Sequence, residues 1–183
     1  MGIGRLVLRA TIGGLFAGHG LQKLAGWFGG GGPEGTGQMF EQVGLRPGRA
    51  QALNAGAAEL GGGALLAFGL ATPAAVSVLS AVMASAVRHV HWRNGVWNTN
   101  GGWELHAIVV ASLLGLAETG PGPLSLDAVL GIEQRGTPVA AAAVGAGIAG
   151  SLAVSALASR ASAPPAERDT ELIASEEPVA AAS

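Results

Sequence analysis

Residues 50–92 read AQALNAGAAELGGGALLAFGLATPAAVSVLSAVMASAVRHVHW. Two apolar runs, Ala50–Ala71 and Ala74–Trp92, are joined by the short Ala-Thr-Pro link at 71–73. Each is close to the ~20 residues that an α-helix needs to cross a hydrocarbon core. Proline opening the second run suits the first turn of a helix, where no amide hydrogen is needed. The stretch therefore predicts an antiparallel pair of transmembrane helices.

Three more segments extend the pattern on either side: Arg5–Ala25, Trp103–Leu116 and Pro138–Ala158. Of 183 residues 49% are hydrophobic and 12% charged, with 31 glycines and a mean hydropathy of +0.44. Soluble domains carry about a quarter charged residues, so half that fraction indicates a bilayer solvent. The fold class expected is an all-α integral membrane bundle of four core transmembrane helices plus a fifth at the C-terminal side. The Trp103–Leu116 segment is short unless its ends reach the interface. The fifth is Ala/Gly-rich, and Ala143, Gly147, Ser151 and Ser155 recur every four residues on one face, which suits close helix packing. That face predicts either a lipid-adjacent extra helix or one that docks a partner.

Other features narrow the function classes. A net charge of -2 gives no basic surface, so no nucleic-acid partner is implied. The absence of cysteine excludes disulfides, thiolate metal sites and thiol nucleophiles. The first run is broken by His19, Gln22 and Lys23 and lacks a cleavage pattern, so it reads as a retained helix rather than a secretory signal. GGGGPEGTG at 29–37 lacks a following Gly-Lys-Ser/Thr and a preceding strand, so it predicts a flexible connector or lid rather than a phosphate loop. The segment 160–183, with Pro-Pro and mixed charge, is expected to be disordered.

Polar residues within spans are costly and face a bundle interior or each other. With alternating helices, Trp27, Trp92, Trp97 and Trp103 fall on one side as an interfacial belt. His19 and Lys23 share a stripe of the first helix, and Glu59 lies near the middle of the second. Arg88, His89 and His91 end the third helix, while Glu104 and His106 open the fourth about 200° apart. This inventory predicts a polar pocket open to the tryptophan side, with Lys23 or Arg88 paired to Glu59 or Glu104. The competing expectation is that these pairs only lock helices together. Arg5, Arg9 and Arg93 are expected to snorkel to headgroups. The distribution of Lys and Arg leans towards a cytoplasmic tail.

HGLQKLAGWFGG at 19–30, AELGGGALLAFGLATP at 58–73 and GGWELH at 101–106 together resemble the DoxX family of small four-helix membrane proteins. The resemblance runs over residues 5–127, ending in GPGPLSLD at 120–127; the helix at 138–158 and the tail lie outside it. His19, Lys23, Glu59 and Glu104 are the positions where the resemblance places polar family residues. The family includes a subunit related to part of a thiosulfate:quinone oxidoreductase, which implies a multi-pass cell-membrane subunit of a quinone-linked complex. In that expectation Glu59 and Glu104 relay protons as catalytic residues. His19, Lys23, Arg88 and His89 line the cofactor site, a quinone is the cofactor, and the partners are the bilayer and membrane or soluble oxidoreductase subunits. A non-catalytic assembly or anchoring subunit is the alternative, and a small-molecule or proton transporter a weaker one, since no internal repeat is visible. Haem or a His/Glu metal site is disfavoured because His89 and His91, two residues apart, aim away from each other on a helix.

Overall fold

The computed structural model describes residues 2–162, all helices and connecting turns without a strand among them. Seven α-helices follow in order: α1 Ile3–Ala25, α2 Gly32–Gln42, α3 Gly48–Phe68, α4 Thr72–Ala86, α5 Glu104–Thr119, α6 Leu126–Leu130 and α7 Thr137–Ser162. Helix α4 continues without a break through a π-turn at Val87–His91 and a tight turn at Trp92–Asn94. Most of the segment expected to be disordered, from residue 163 onward, lies outside the described residues.

All five predicted segments are helical. Two of them, Thr72–Asn94 and Thr137–Leu157, are long and apolar enough to cross a membrane by themselves. Helices α1 and α3 have the length but carry ionic residues, and α5, at 16 residues, spans only about 24 Å.

Backbone proximity holds the first pair. Helices α1 and α3 run antiparallel, with Gly13 against Gly63 and Gly20 against Gly56 and Leu60. A methyl group on Gly63 would sit 2.5 Å from the carbonyl oxygen of Gly13, and one on Gly20 2.5 Å from the amide of Leu60. In lipid, where burial of apolar surface gives little drive for helices to associate, such close approach is the principal source of packing energy. The three-residue turn at 69–71 then reverses the chain into α4. Gly69 adopts a left-handed conformation there, and so does Ala71 (φ 48°).

Helix α7 lies parallel to α4. Gly147 meets Ser77, Ser80 and Ala81, and His89 meets Ser155. The predicted small-residue face at Ala143, Gly147, Ser151 and Ser155 is buried, so its docking partner is α4 of the same chain. Helix α5 runs antiparallel to both, its end tied to the start of α7 by Gly136 N–H donating to the carbonyl of Glu118 at 2.9 Å. The dry core, including Leu66, Val76, Leu79, Leu113 and Leu116, forms where α3, α4, α5 and α7 converge.

Two expectations are corrected. The 29–37 connector is not a flexible lid. Pro33 sits in the first turn of α2, Glu34 favours that positive helix end, and Gly37 packs against Gly48 and Arg49 of α3. Its flank is fixed by Glu34 Oε1 accepting from Arg49 Nε at 2.8 Å and Glu41 Oε1 accepting from Gly48 N at 3.1 Å. Second, Arg9 does not snorkel. It is 2% exposed and donates to the carbonyls of Ala67 and Leu124, while Arg5 donates to that of Thr119 at 2.6 Å. The last carbonyls of α3 and α5 lack intrahelical donors, and these guanidiniums supply them. Beside them the buried Asp127 accepts from Ala71 N (2.7 Å), Thr72 N (3.0 Å) and Thr72 Oγ1 (2.7 Å), capping α4.

Candidate functional site: an apolar cleft between α4, α5 and α7

The polar residues singled out in the sequence do not converge on one pocket. Lys23 Nζ donates to Glu59 Oε2 at 2.6 Å across the α1–α3 interface. Glu59 is 6% exposed, and the small residues around it let α1 come close enough for a lysine that points back along its own helix. His19 Nδ1 donates to Gln22 Oε1 at 2.9 Å on the exposed side of α1. His89 Nε2 shares a hydrogen bond of 3.0 Å with Ser155 Oγ, stitching α4 to α7. Glu104 sits half-buried in the first turn of α5, where its charge suits the helix dipole. Among the described residues, no three His, Asp or Glu side chains come together as a metal site.

The cavity lies elsewhere. A cleft of about 500 Å³ opens between α4, α5 and α7, within the size range of small-molecule sites. Each wall is a helical stripe. Helix α4 and its extension give Ser80, Met83, Ala84, Val87, Arg88 and Trp92; α5 gives Trp103, His106, Ala107 and Val110; α7 gives Ile148, Ser151 and Leu152. From Ser80 to Trp92 the α4 wall is about 18 Å deep. Of the predicted site residues only Arg88 lines it.

Polarity in the cleft is sparse and placed. Trp92 and Trp103 stand near-parallel at the mouth, with ring centroids 6.3 Å apart and planes 17° from parallel. Next to them the rings of His91 and His106 approach to 4.1 Å. His106 Nδ1 and Ser80 Oγ are both buried without a hydrogen-bond partner. Unpaired buried polar atoms are costly, and these two lie closed within the α4 and α5 walls rather than open to the cleft.

Sequence reasoning missed His106, Ser80 and the tryptophan pair as cleft residues. The spacing 103, 106, 107, 110 on α5 is a helical stripe that was legible. What it faces depends on α7, whose orientation relative to α4 is a tertiary fact. The tryptophan side itself holds: the antiparallel α1–α3 pair and the α3–α4 turn put the ends of α1 and α4 together, and Trp103 joins Trp92 there.

These features define an all-helical membrane protein with an apolar cleft that opens at a tryptophan-lined end. Residues 4–92 match the DoxX family model, which supports DoxX family membership for this part of the chain. The match covers α1 to α4 and contains His19, Lys23, Glu59, Arg88 and His89; Glu104, α7 and two walls of the cleft lie beyond it, so it is shorter than the 5–127 expected. Neither a curated protein nor a solved structure gives a significant match.

Proposed function

We propose that this protein is the multi-pass membrane subunit of a quinone-linked oxidoreductase complex in the cell membrane, with the α4–α5–α7 cleft as the site for the quinone head. All five long helices are spans in this reading, α1 and α3 carrying their ionic pair inward. The observation that carries it is a largely apolar cleft of about 500 Å³ with two near-parallel tryptophan rings at its mouth and His106 and Arg88 in its walls. A flat head with ring oxygens fits those residues. In this reading the His106 ring and the Arg88 cation are the polar groups beside a ring oxygen, and Trp92 and Trp103 offer flat faces. A quinone, when bound, supplies a two-electron, two-proton acceptor. With no cysteine the chain has no thiol redox centre, and the electrons come from a partner oxidoreductase subunit.

The test is mild-detergent purification with identification of extracted lipids, and titration of a short-tailed benzoquinone while tryptophan fluorescence is followed. Wild-type protein should carry quinone and be quenched, and Ala107→Trp, which fills the cleft from α5, should lose both while remaining folded. Phospholipid alone in the extract, with no saturable quenching, would overturn the proposal.

One observation favours the alternative of an assembly subunit: the Lys23–Glu59 pair is satisfied across α1 and α3, as a helix lock would be. In that case quenching is absent and a partner co-purifies without quinone.

A further inference from the structure

We propose that the cleft holds its quinone lengthwise, with the head at the tryptophan end and a long apolar tail running between α4, α5 and α7 towards Ser80. This deepens the quinone reading and rests on it. The ligand class it names is a lipid quinone with one such tail, which reaches the cleft from the bilayer.

The relative depths of the three walls follow from their contacts. Trp92 stands beside Trp103 and α5 runs antiparallel to α4, so Val110 lies about 10 Å deeper than Trp103. Gly147 meets Ser77, Ser80 and Ala81, and His89 meets Ser155, so Ile148 and Leu152 stand level with the α4 wall between Ser80 and His89. Sorted by depth, the lining divides in two. Arg88, Trp92, Trp103 and His106, the charged and ring-bearing side chains of the lining, all lie at the outer end. Met83, Ala84, Val110, Ile148 and Leu152 make the inner end. Ser80 and Ser151 are 1% and 5% exposed there, so their hydroxyls add little polarity. From Arg88 to Ser80 the inner part is about 12 Å long.

A cleft whose polarity changes from one end to the other fits an amphiphile rather than a compact polar molecule. Arg88 has no carboxylate in ion-pair contact among the described residues, whereas Lys23 is matched by Glu59 and Arg9 by backbone carbonyls. Its cation is left to the oxygens of a ligand head. Ile148 and Leu152 line the cleft and are still 44% and 49% exposed, so the α7 wall is open to the side. Both belong to Thr137–Leu157, a helix long and apolar enough to cross a membrane, and what lies beside them is therefore acyl chain. A tail already dissolved in lipid gains little by entering an apolar cleft. The head therefore sets the affinity and the tail sets the pose.

The experiment uses the full chain in phosphatidylcholine nanodiscs and two benzoquinones whose alkyl tail is as long as the inner cleft. One carries a photoactivatable diazirine beside the ring and the other at the end of the tail. Labelled residues are read by peptide mass spectrometry, with and without an excess of unlabelled quinone as competitor. The ring-side probe should mark residues 88–92 and 103–107, the tail-end probe residues 80–84 and 148–152, and the competitor should remove both. Ala84→Phe narrows the cleft below the head, so tail-end labelling of 148–152 should fall about tenfold while ring-side labelling stays within about twofold of wild type. Competable labelling of wild type in which both probes mark the tryptophan end, or both ends alike, would overturn the lengthwise pose alone, as would undiminished tail-end labelling in a folded Ala84→Phe. If neither probe gives competable labelling, the quinone reading fails, and the pose with it.

Discussion

Lys23 Nζ lies 2.6 Å from Glu59 Oε2, joining α1 to α3 at the point where both helices are lined with glycine. Neither side chain reaches the α4–α5–α7 cleft. This buried carboxylate is therefore matched by a lysine before any ligand is considered. Removing one partner of such a pair leaves the other charged and buried.

The pair is expected to behave as a coupled unit. Lys23→Met should cost about 3 kcal/mol, because it strands the buried Glu59, and Glu59→Ala less, because the remaining Lys23 keeps some access to water. The double variant should be more stable than the sum of the two losses predicts. Thermal or denaturant unfolding in detergent measures this, and strictly additive losses would show that the pair does not couple.

The α4–α7 contact depends on Gly147. A methyl group there would sit 2.9 Å from the Ser80 side chain and against the backbone of Ser77. Gly147→Leu should push α7 off α4 and cost about 1–3 kcal/mol. Gly145, which has open space around it, should tolerate alanine. Cysteines introduced at Ser155 and His89 into this cysteine-free chain should be joined by a short bis-thiol cross-linker in the parent and lose that cross-link with Gly147→Leu.

At the opposite end Asp127 satisfies two amides and one hydroxyl at the start of α4, and only 1% of it is exposed. Asp127→Asn should destabilise by about 2 kcal/mol, the range for hydrogen bonds to a charged group. Thr72→Val removes one of the three donors and should cost about 1 kcal/mol. Hydrogen exchange should show the first turn of α4 opening in Asp127→Asn before the rest of the helix; uniform loosening would contradict the cap.

Outside the spans, Glu34 is held below the usual carboxylate range first by its hydrogen bond from Arg49. A carboxylate with a depressed folded-state pKa contributes stability above its unfolded value and loses it as pH falls through the folded one. Docking of α2 on α3 should therefore weaken on acidification through that range, and less steeply at high salt because the pair is exposed. In Arg49→Gln the Glu34 titration, followed by NMR, should move up towards the ordinary carboxylate value.

Much of the architecture was legible because local rules act within single segments. Length and apolarity placed five helices, Ala-Thr-Pro at 71–73 forced the α3–α4 reversal, and the spacing of Ala143, Gly147, Ser151 and Ser155 marked a packing face. The connector at 29–37 was misread because its glycines mask a helix that is stabilised by contacts with α3 rather than by its own propensity. Arg9 was misread for a related reason: near the end of a span, an arginine that snorkels and one that binds the carbonyls of a neighbouring helix have the same sequence signature.

By itself, then, the sequence determined an all-α membrane protein, its helix segments, its tryptophan-rich side and the DoxX resemblance, because those depend on hydrophobicity and periodicity along the chain. Only the tertiary structure decided which polar residues meet. It paired Lys23 with Glu59, buried Arg9 and Asp127 at the far end, and brought His91, His106, Trp92 and Trp103 together at the mouth of a cleft. Periodicity says which residues share a face of one helix. Which faces meet depends on how closely backbones can approach, and that was set by glycine contacts between helices distant in sequence.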